Sequence, residues 1–219
     1  MADRSDIEFF FDPICPFAWI TSRWITDVAP LRGATVAWRF ISLAVVNEGK
    51  DYAVDFPPAY PVLHGLGRDL LRVAVAARSV GGNDAVAAFY TAAGRQLHVG
   101  GVNVGLWHGE AVPERLVADI VDAAGLDPAL ASAVTDTSLD GVLREETELA
   151  LSRTGPDVGT PILTFDPGQA TESSLFGPVI SKAPKGDAGL ELFDAVRTLA
   201  RTHTFAELKR SMRDPIEFD

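Results

Sequence analysis

Cys15 is the only cysteine among 219 residues, and its neighbours favour chemistry at its sulfur. The apolar run Phe9–Phe11 is typical of a short buried strand, and Asp12-Pro13 interrupts it. Pro16 fits the first position of a helix, where the missing N–H costs nothing. The sulfur should then lie beside the free amides and the positive dipole end of that helix, which stabilise a thiolate. We expect a nucleophile with a lowered pKa; the alternative is a lone cysteine that only fills the core.

The elements that must position this cysteine are predicted to begin with a strand, a helix and a second strand. Ile7 to Phe11 form the first strand, and a helix from Pro16 ends before Pro30. Residues 35–41 alternate apolar and polar side chains, which is typical of a strand. Because the helix joins the two strands by a crossover, they should pair in parallel.

The middle of the chain is predicted to be helical, and strands return near its end. Residues 60–153 carry apolar side chains at helical spacing, with a glycine-rich loop expected over 99–112. Residues 161–165 and 175–178 are expected to form a hairpin, and a last helix follows over 187–200. The prediction is an α/β domain made of residues 1–50 and 157–219, with a helical insertion over residues 51–156.

Composition excludes several classes of function. The chain has 30 acidic and 19 basic residues, a net charge of −11, which argues against binding to nucleic-acid backbones or anionic membranes. No apolar segment is long enough to span a membrane, and none is typical of a secretion signal. One cysteine cannot form an internal disulfide, so a reducing cytoplasm is expected. The four histidines lack metal-ligand spacing, and no metal cofactor is expected.

The chain resembles the DsbA-like superfamily of thioredoxin folds, which includes kappa-class glutathione transferases and 2-hydroxychromene-2-carboxylate isomerases. The segments 11–17 and 158–161 carry this likeness. The chain is more similar still to the actinobacterial family of mycothiol-dependent nitroreductases and disulfide reductases. That closer likeness is carried by residues 19–24, 42–48, 176–182, 207–210 and 218–219.

One departure from the reductase pattern changes the expected mechanism. The family usually has Cys-Pro-Trp-Cys where this chain has Cys15-Pro16-Phe17-Ala18. The resolving cysteine is absent, so the chain alone cannot close an internal disulfide. The resemblance then implies monothiol chemistry, in which Cys15 attacks a disulfide or an electrophile and an external thiol releases it.

The resemblance also implies which residues surround the sulfur. Pro161 is expected to follow a cis peptide bond and to face Cys15, while Thr160 offers backbone groups to a thiol substrate. An ordinary trans proline at the start of a strand is the alternative. Pro16, Phe17 and Asn47 are expected to contact the thiol cofactor. The alternatives are that Phe17 packs in the core and that Asn47 is an ordinary surface residue.

The predicted function is that of a cytoplasmic thiol oxidoreductase that uses mycothiol to reduce disulfides or nitroaromatic electrophiles. A kappa-type S-transferase or isomerase is the first alternative, although those relatives carry serine at position 15 and an acid within the stretch 176–179. A binding protein that kept only the fold is the second. The partners are small molecules, with no nucleic acid or membrane, and a homodimer is left open. His98, Trp107 and His108 flank the predicted loop as candidates for a substrate cleft or for surface positions.

Overall fold

Four strands form one mixed sheet in the computed structural model, which describes residues 5–218. The spatial order is β2-β1-β3-β4, in which β1 (Ile7–Phe11) pairs in parallel with β2 (Val36–Phe40), as predicted. On its other side β1 pairs antiparallel with β3 (Ile162–Phe165), and β3 pairs antiparallel with β4 (Ser173–Phe176). The apolar runs in β1 and β3 reflect burial on both faces of the sheet centre.

Two helices complete the part of the fold that contains the sheet. Helix α1 (Pro16–Val28) connects β1 to β2, and α8 (Gly186–Arg201) follows β4 and packs against α1. The Trp24 indole N–H donates a hydrogen bond of 2.9 Å to the carbonyl of Gly189 and so ties the two helices together. Strand, helix, strand, then hairpin and helix is the topology of the thioredoxin-like fold, which confirms the predicted class.

The remaining helices lie between β2 and β3. They are α2 (Leu43–Val46), α3 (Tyr52–Asp55), α4 (Tyr60–Gly94), α5 (Val102–Trp107), α6 (Leu116–Ala123) and α7 (Asp140–Thr154). A π-helical turn over Arg95–Val99 follows α4, and α5 occupies part of the stretch that was predicted to be a loop, so that prediction is wrong. The boundaries of the insertion at residues 51 and 156 stay a prediction. Within residues 5–218 no helix is long and apolar enough to cross a membrane.

Polar side chains from the helices cover the open edge of β2. The side-chain amide of Asn83 donates to the Val36 carbonyl at 2.9 Å, and its oxygen accepts the Trp38 N–H at 2.8 Å. The Glu146 carboxylate from α7 accepts the Phe40 N–H, also at 2.8 Å. These bonds use the backbone groups that an edge strand would otherwise expose, and they fasten the helical region to the sheet.

Candidate active site

Cys15 lies between the start of α1 and the loop before β3. It is the N-cap residue of α1, and its Sγ accepts a hydrogen bond of 3.4 Å from the Ala18 N–H. The same thiol donates to the Thr160 carbonyl, also at 3.4 Å. Only 8% of Cys15 is exposed. The helix-start geometry is as predicted, but the sulfur sits in a closed environment.

Burial gives the Cys15 thiol the opposite pKa shift from the one predicted. Loss of solvation raises the pKa to about 12, and the negative charge of Asp12 acts in the same direction. The backbone N–H groups of Ala18 and Phe17 pull the pKa down without overcoming burial. The predicted lowering is therefore wrong for this closed arrangement, in which the group rests as a hydrogen-bonded thiol.

Asp12 is a fully buried carboxyl group beneath this loop. Its oxygens accept the Leu43 N–H at 2.8 Å and the Ile14 N–H at 3.1 Å, and burial nevertheless raises its pKa to about 7. Gly67 of α4 packs against the same carboxylate so closely that a β-carbon at position 67 would collide with it. Asp12 thus joins the cysteine loop to the starts of α2 and α4.

The loop before β3 brings Thr160 to the sulfur. Its Oγ1 donates to the Phe10 carbonyl at 2.9 Å, which anchors the loop on β1, and its own carbonyl accepts the Cys15 thiol. The Thr160–Pro161 peptide bond is cis. The Pro161 carbonyl accepts the Gly177 N–H at 2.8 Å, so this proline is tied to the segment after β4.

The other residues predicted to contact the cofactor differ in whether they lie next to the sulfur. Pro16 and Phe17 follow the sulfur at the start of α1 and are half-buried, and the Arg213 guanidinium lies 5.1 Å from the centre of the Phe17 ring. Asn47 is buried instead, and its amide donates to the Leu43 carbonyl at 2.8 Å within its own turn. The structure therefore gives no bond from Asn47 toward the sulfur, and the cofactor roles of all three remain predictions.

His98 and Asn103 hold the two carbonyl groups that precede Cys15, a role that sequence reasoning missed. The Nε2 of His98 donates to the Pro13 carbonyl at 3.0 Å, which leaves Nδ1 to accept from the Asn103 amide at 3.2 Å. The same amide donates to the Ile14 carbonyl at 3.1 Å. Burial lowers the pKa of His98 to about 4, so the imidazole is neutral and its tautomer is fixed by these bonds.

The segment after α8 crosses the face that carries Cys15. The Phe218 ring lies 5.4 Å from the His98 ring, and the Glu217 N–H donates to the Ser181 carbonyl at 2.8 Å. Arg213 of the same segment lies over Phe17. The sequence signal for this segment was limited to the likeness of residues 207–210 and 218–219 to the family pattern.

Trp107 and His108, the other candidates in the predicted loop, differ in their exposure and contacts. Trp107 is half exposed and its ring lies 5.8 Å from that of Tyr60 at the start of α4. His108 is exposed. In the part of the chain that the structure describes, no group of three or more His, Cys, Asp or Glu side chains is arranged to hold a metal ion.

A thioredoxin-like fold with a cysteine at the start of its first helix defines the class of thiol oxidoreductases. Within that class, the model of the family described as "Rv2466c-like: Mycothiol-dependent nitroreductase Rv2466c" matches residues 14–210. The chain belongs to this family, and it is a thiol-dependent enzyme.

Individual proteins also resemble this chain. An uncharacterized protein of Mycobacterium tuberculosis (strain ATCC 25618 / H37Rv), Rv2286c, is 35% identical over 207 residues, which are 93% of this chain and 81% of that protein. A solved 2-hydroxychromene-2-carboxylate isomerase is 19% identical with a TM-score of 0.46 and covers 90% of this chain and 97% of its own. Salmonella enterica serovar Typhimurium DsbL is 15% identical with a TM-score of 0.45 and covers 90% of each chain.

Proposed function

We propose that this protein is a monothiol oxidoreductase in which Cys15 exchanges disulfides with mycothiol as the co-substrate. The observation that carries the proposal is the position of Cys15 at the helix start, with Ala18 where a second thiol would stand. The alanine side chain has no thiol, so position 18 supplies no resolving thiol even though its N–H contacts Sγ at 3.4 Å.

The proposed exchange balances without a further oxidant. Cys15 attacks the mycothiol sulfur of a mixed disulfide, so the new Cys15–mycothiol disulfide forms as the old S–S bond breaks, and the leaving thiolate takes the proton of Cys15. A second mycothiol then attacks the mycothiol sulfur of that adduct and restores the Cys15 thiol. The substrate gains two electrons and leaves as a free thiol, while two mycothiol molecules leave as their disulfide.

Nitroaromatic compounds are the second substrate class, supported by the family description. Two thiols carry the two electrons and two protons that convert a nitro group to a nitroso group and water, and they leave as one disulfide. The rings of Tyr60 on α4 and Trp107 on α5 lie 5.8 Å apart, and α5 is bonded through Asn103 to the cysteine loop.

The kappa-type alternative has one observation in its favour. Because burial raises the pKa of Cys15, the thiol can act as a hydrogen-bond donor to a bound thiolate without forming a covalent bond. Cys15→Ser separates this alternative from the proposed mechanism, since serine also donates a hydrogen bond but cannot form a disulfide. A binding protein without catalysis would show no turnover in either form.

The test is the steady-state reduction of a mixed disulfide between mycothiol and a small reporter thiol. We expect the wild-type rate to rise with mycothiol concentration and Cys15→Ser to lose at least about 100-fold in kcat/KM, as loss of a nucleophile does. Retention of the rate by Cys15→Ser would favour the S-transferase alternative. Absence of turnover in both proteins would favour the binding protein.

A further inference from the structure

A cavity of about 520 Å³ lies between α2, the first turns of α4 and the start of α7. The walls come from Ala44 and Val45 on α2, from His64 and Gly65 on α4, and from Leu143 on α7. It is separate from the environment of the sulfur, because Cys15 does not line it. Its size is sufficient for a small ligand or for one part of an extended ligand.

The cavity adjoins the loop that carries Cys15. Leu43, the first residue of α2, donates its N–H to the buried carboxylate of Asp12, and Gly67 of α4 packs against the same carboxylate. The Leu43 side chain also reaches the space beside Gly159, the residue before Thr160. Both the α2 wall and the α4 wall are therefore fixed by a residue three positions before the sulfur. The cavity is therefore joined through Asp12 to the loop that carries the sulfur.

The side chains that line the cavity include equal numbers of positive and negative charges. Glu48 and Asp140 contribute carboxylates, and Arg68 and Arg144 contribute guanidinium groups. Arg144 bonds Glu48 at 2.8 Å, and Arg72 bonds Asp140 at 2.6 Å from outside the cavity. Carboxylates accept hydrogen bonds and guanidinium groups donate them, so the lining matches hydroxyl groups, which do both. Balanced charge favours an uncharged polyol over a net anion.

Two aromatic side chains add an apolar surface to this polar set. Tyr52 and His64 line the cavity, and the Tyr52 hydroxyl is hydrogen-bonded to His64 Nδ1 at 2.8 Å. Their rings lie 5.6 Å apart in an edge-to-face arrangement, which holds both in place. Carbohydrate rings present C–H groups on one face and hydroxyls at the rim, and this lining offers a partner to each.

We propose that this cavity binds the pseudo-disaccharide of mycothiol, the amide-linked glucosamine and inositol that follow its cysteine. The inference rests on the proposed function for the identity of the thiol, but it concerns the part of that thiol that carries no sulfur. The cavity then sets which thiol the enzyme accepts, while Cys15 supplies the chemistry.

Gly65 offers a way to fill the cavity without removing any polar group. It lines the cavity on α4, and a β-carbon built there meets no atom within 4 Å. Leucine is a better helix former than glycine, so Gly65→Leu is expected to fold. Gly141→Leu is the matched control, because Gly141 lies on α7 with the same open space but is not among the lining residues.

The experiment is calorimetric titration with N-acetylglucosaminyl-inositol, which is uncharged and has no thiol. Wild type and Gly141→Leu are expected to bind it with equal affinity, and Gly65→Leu at least about tenfold more weakly. Glu48→Gln, which keeps the shape of the lining, should also bind more weakly. No binding by wild type, or equal binding by wild type and Gly65→Leu, would overturn the inference.

This experiment distinguishes failure of the cavity proposal from failure of the proposed function at Cys15. The probe cannot react at Cys15, so binding by wild type that is lost in Gly65→Leu supports the cavity whatever the thiol chemistry proves to be. Conversely, Cys15 turnover with mycothiol that is equally fast in wild type and Gly65→Leu upholds the proposed function and counts against the cavity.

Discussion

At the scale of single residues, the buried carboxyl of Asp12 is the nearby charged group that acts on Cys15, in addition to burial and the backbone N–H groups of Ala18 and Phe17. Its negative charge raises the pKa of the thiol, and burial raises its own pKa to about 7. The charge of this carboxyl on the cysteine loop therefore varies with pH near neutrality.

Asp12 should make the protein less stable as pH rises. The folded-state pKa is about 7 against an ordinary value of 3.8, so between these values the folded protein keeps a proton that the unfolded chain has lost. The contribution of Asp12 to the free energy of unfolding should then fall through this window, by about 4 kcal/mol at its upper end. His64 and His98, whose pKa values burial lowers to about 4, act in the opposite direction, so urea unfolding at a series of pH values should show this fall as the difference between wild type and Asp12→Asn.

Asp12→Asn is expected to remove the falling contribution from the pH profile because the titrating group is gone. Its amide can accept only one of the two backbone N–H bonds, so some stability is lost at low pH. Exposed Asp84→Asn should leave the profile unchanged and serves as the control. A difference in stability between wild type and Asp12→Asn that stays constant between about pH 4 and 7 would contradict the assigned shift.

At the scale of elements, the π-helical turn and α5 matter because they hold the cysteine loop. π-helical turns are frequent at functional sites. Here the turn supplies His98 and α5 supplies Asn103, and together they bind the carbonyls of Pro13 and Ile14. Both side chains act through the loop, so they are positioning residues.

Asn103→Ala should lower kcat by about tenfold while changing KM little, because the loop before Cys15 loses one of its two anchors. The buried carbonyl left unpaired should also cost about 1–3 kcal/mol of stability. Steady-state kinetics and urea unfolding of the same variant separate the two effects.

Asn83→Ala is the matched control for this variant. Asn83 also forms two hydrogen bonds through its side-chain amide, in this case to two backbone groups on the edge of β2. It should lose similar stability with kcat unchanged. Equal losses of kcat in the two variants would mean that the Asn103 effect is only structural.

The sequence predicts helices and strands where local patterns determine them. It predicts the contacts around Cys15 only in part. Alternation over 36–40 and the proline after Cys15 were enough to place β2 and the start of α1. The His98 bond joins residues 85 positions apart, and no local pattern reports such a contact. The raised pKa of Cys15 was missed for the same reason, since burial comes from distant segments.

At the scale of the whole molecule, the segment after α8 closes the face that carries the sulfur. Phe218 packs on His98, and Arg213 lies over Phe17 beside Cys15. Because exposure of a thiol strongly affects its reactivity, this segment is expected to limit how fast reagents reach Cys15.

Phe218→Ala should therefore speed alkylation of Cys15 severalfold by loosening the segment from His98. Met212→Ala, at a residue of the same segment that is 89% exposed, should not. The measurement is the rate of iodoacetamide labelling at fixed pH, followed by intact mass. Equal rates for wild type and Phe218→Ala would show that the segment does not control access.

The central claim is that Cys15 acts as a nucleophile without an internal resolving thiol, and intact mass spectrometry tests it most directly. Wild type, Cys15→Ser and Ala18→Cys are incubated with mycothiol disulfide, freed of excess reagent and weighed over time. Ala18 is fully buried within hydrogen-bond distance of Sγ through its N–H, so a thiol placed there lies close to Cys15.

The proposed mechanism predicts one mycothiol adduct on wild type that persists until free mycothiol is added. Cys15→Ser should gain no mass, and Ala18→Cys should lose its adduct as an internal disulfide forms, because cysteines with Cα atoms about 4.4–6.8 Å apart can be bridged. Wild type that never holds the adduct, or Ala18→Cys that retains it as long as wild type does, would contradict the monothiol mechanism.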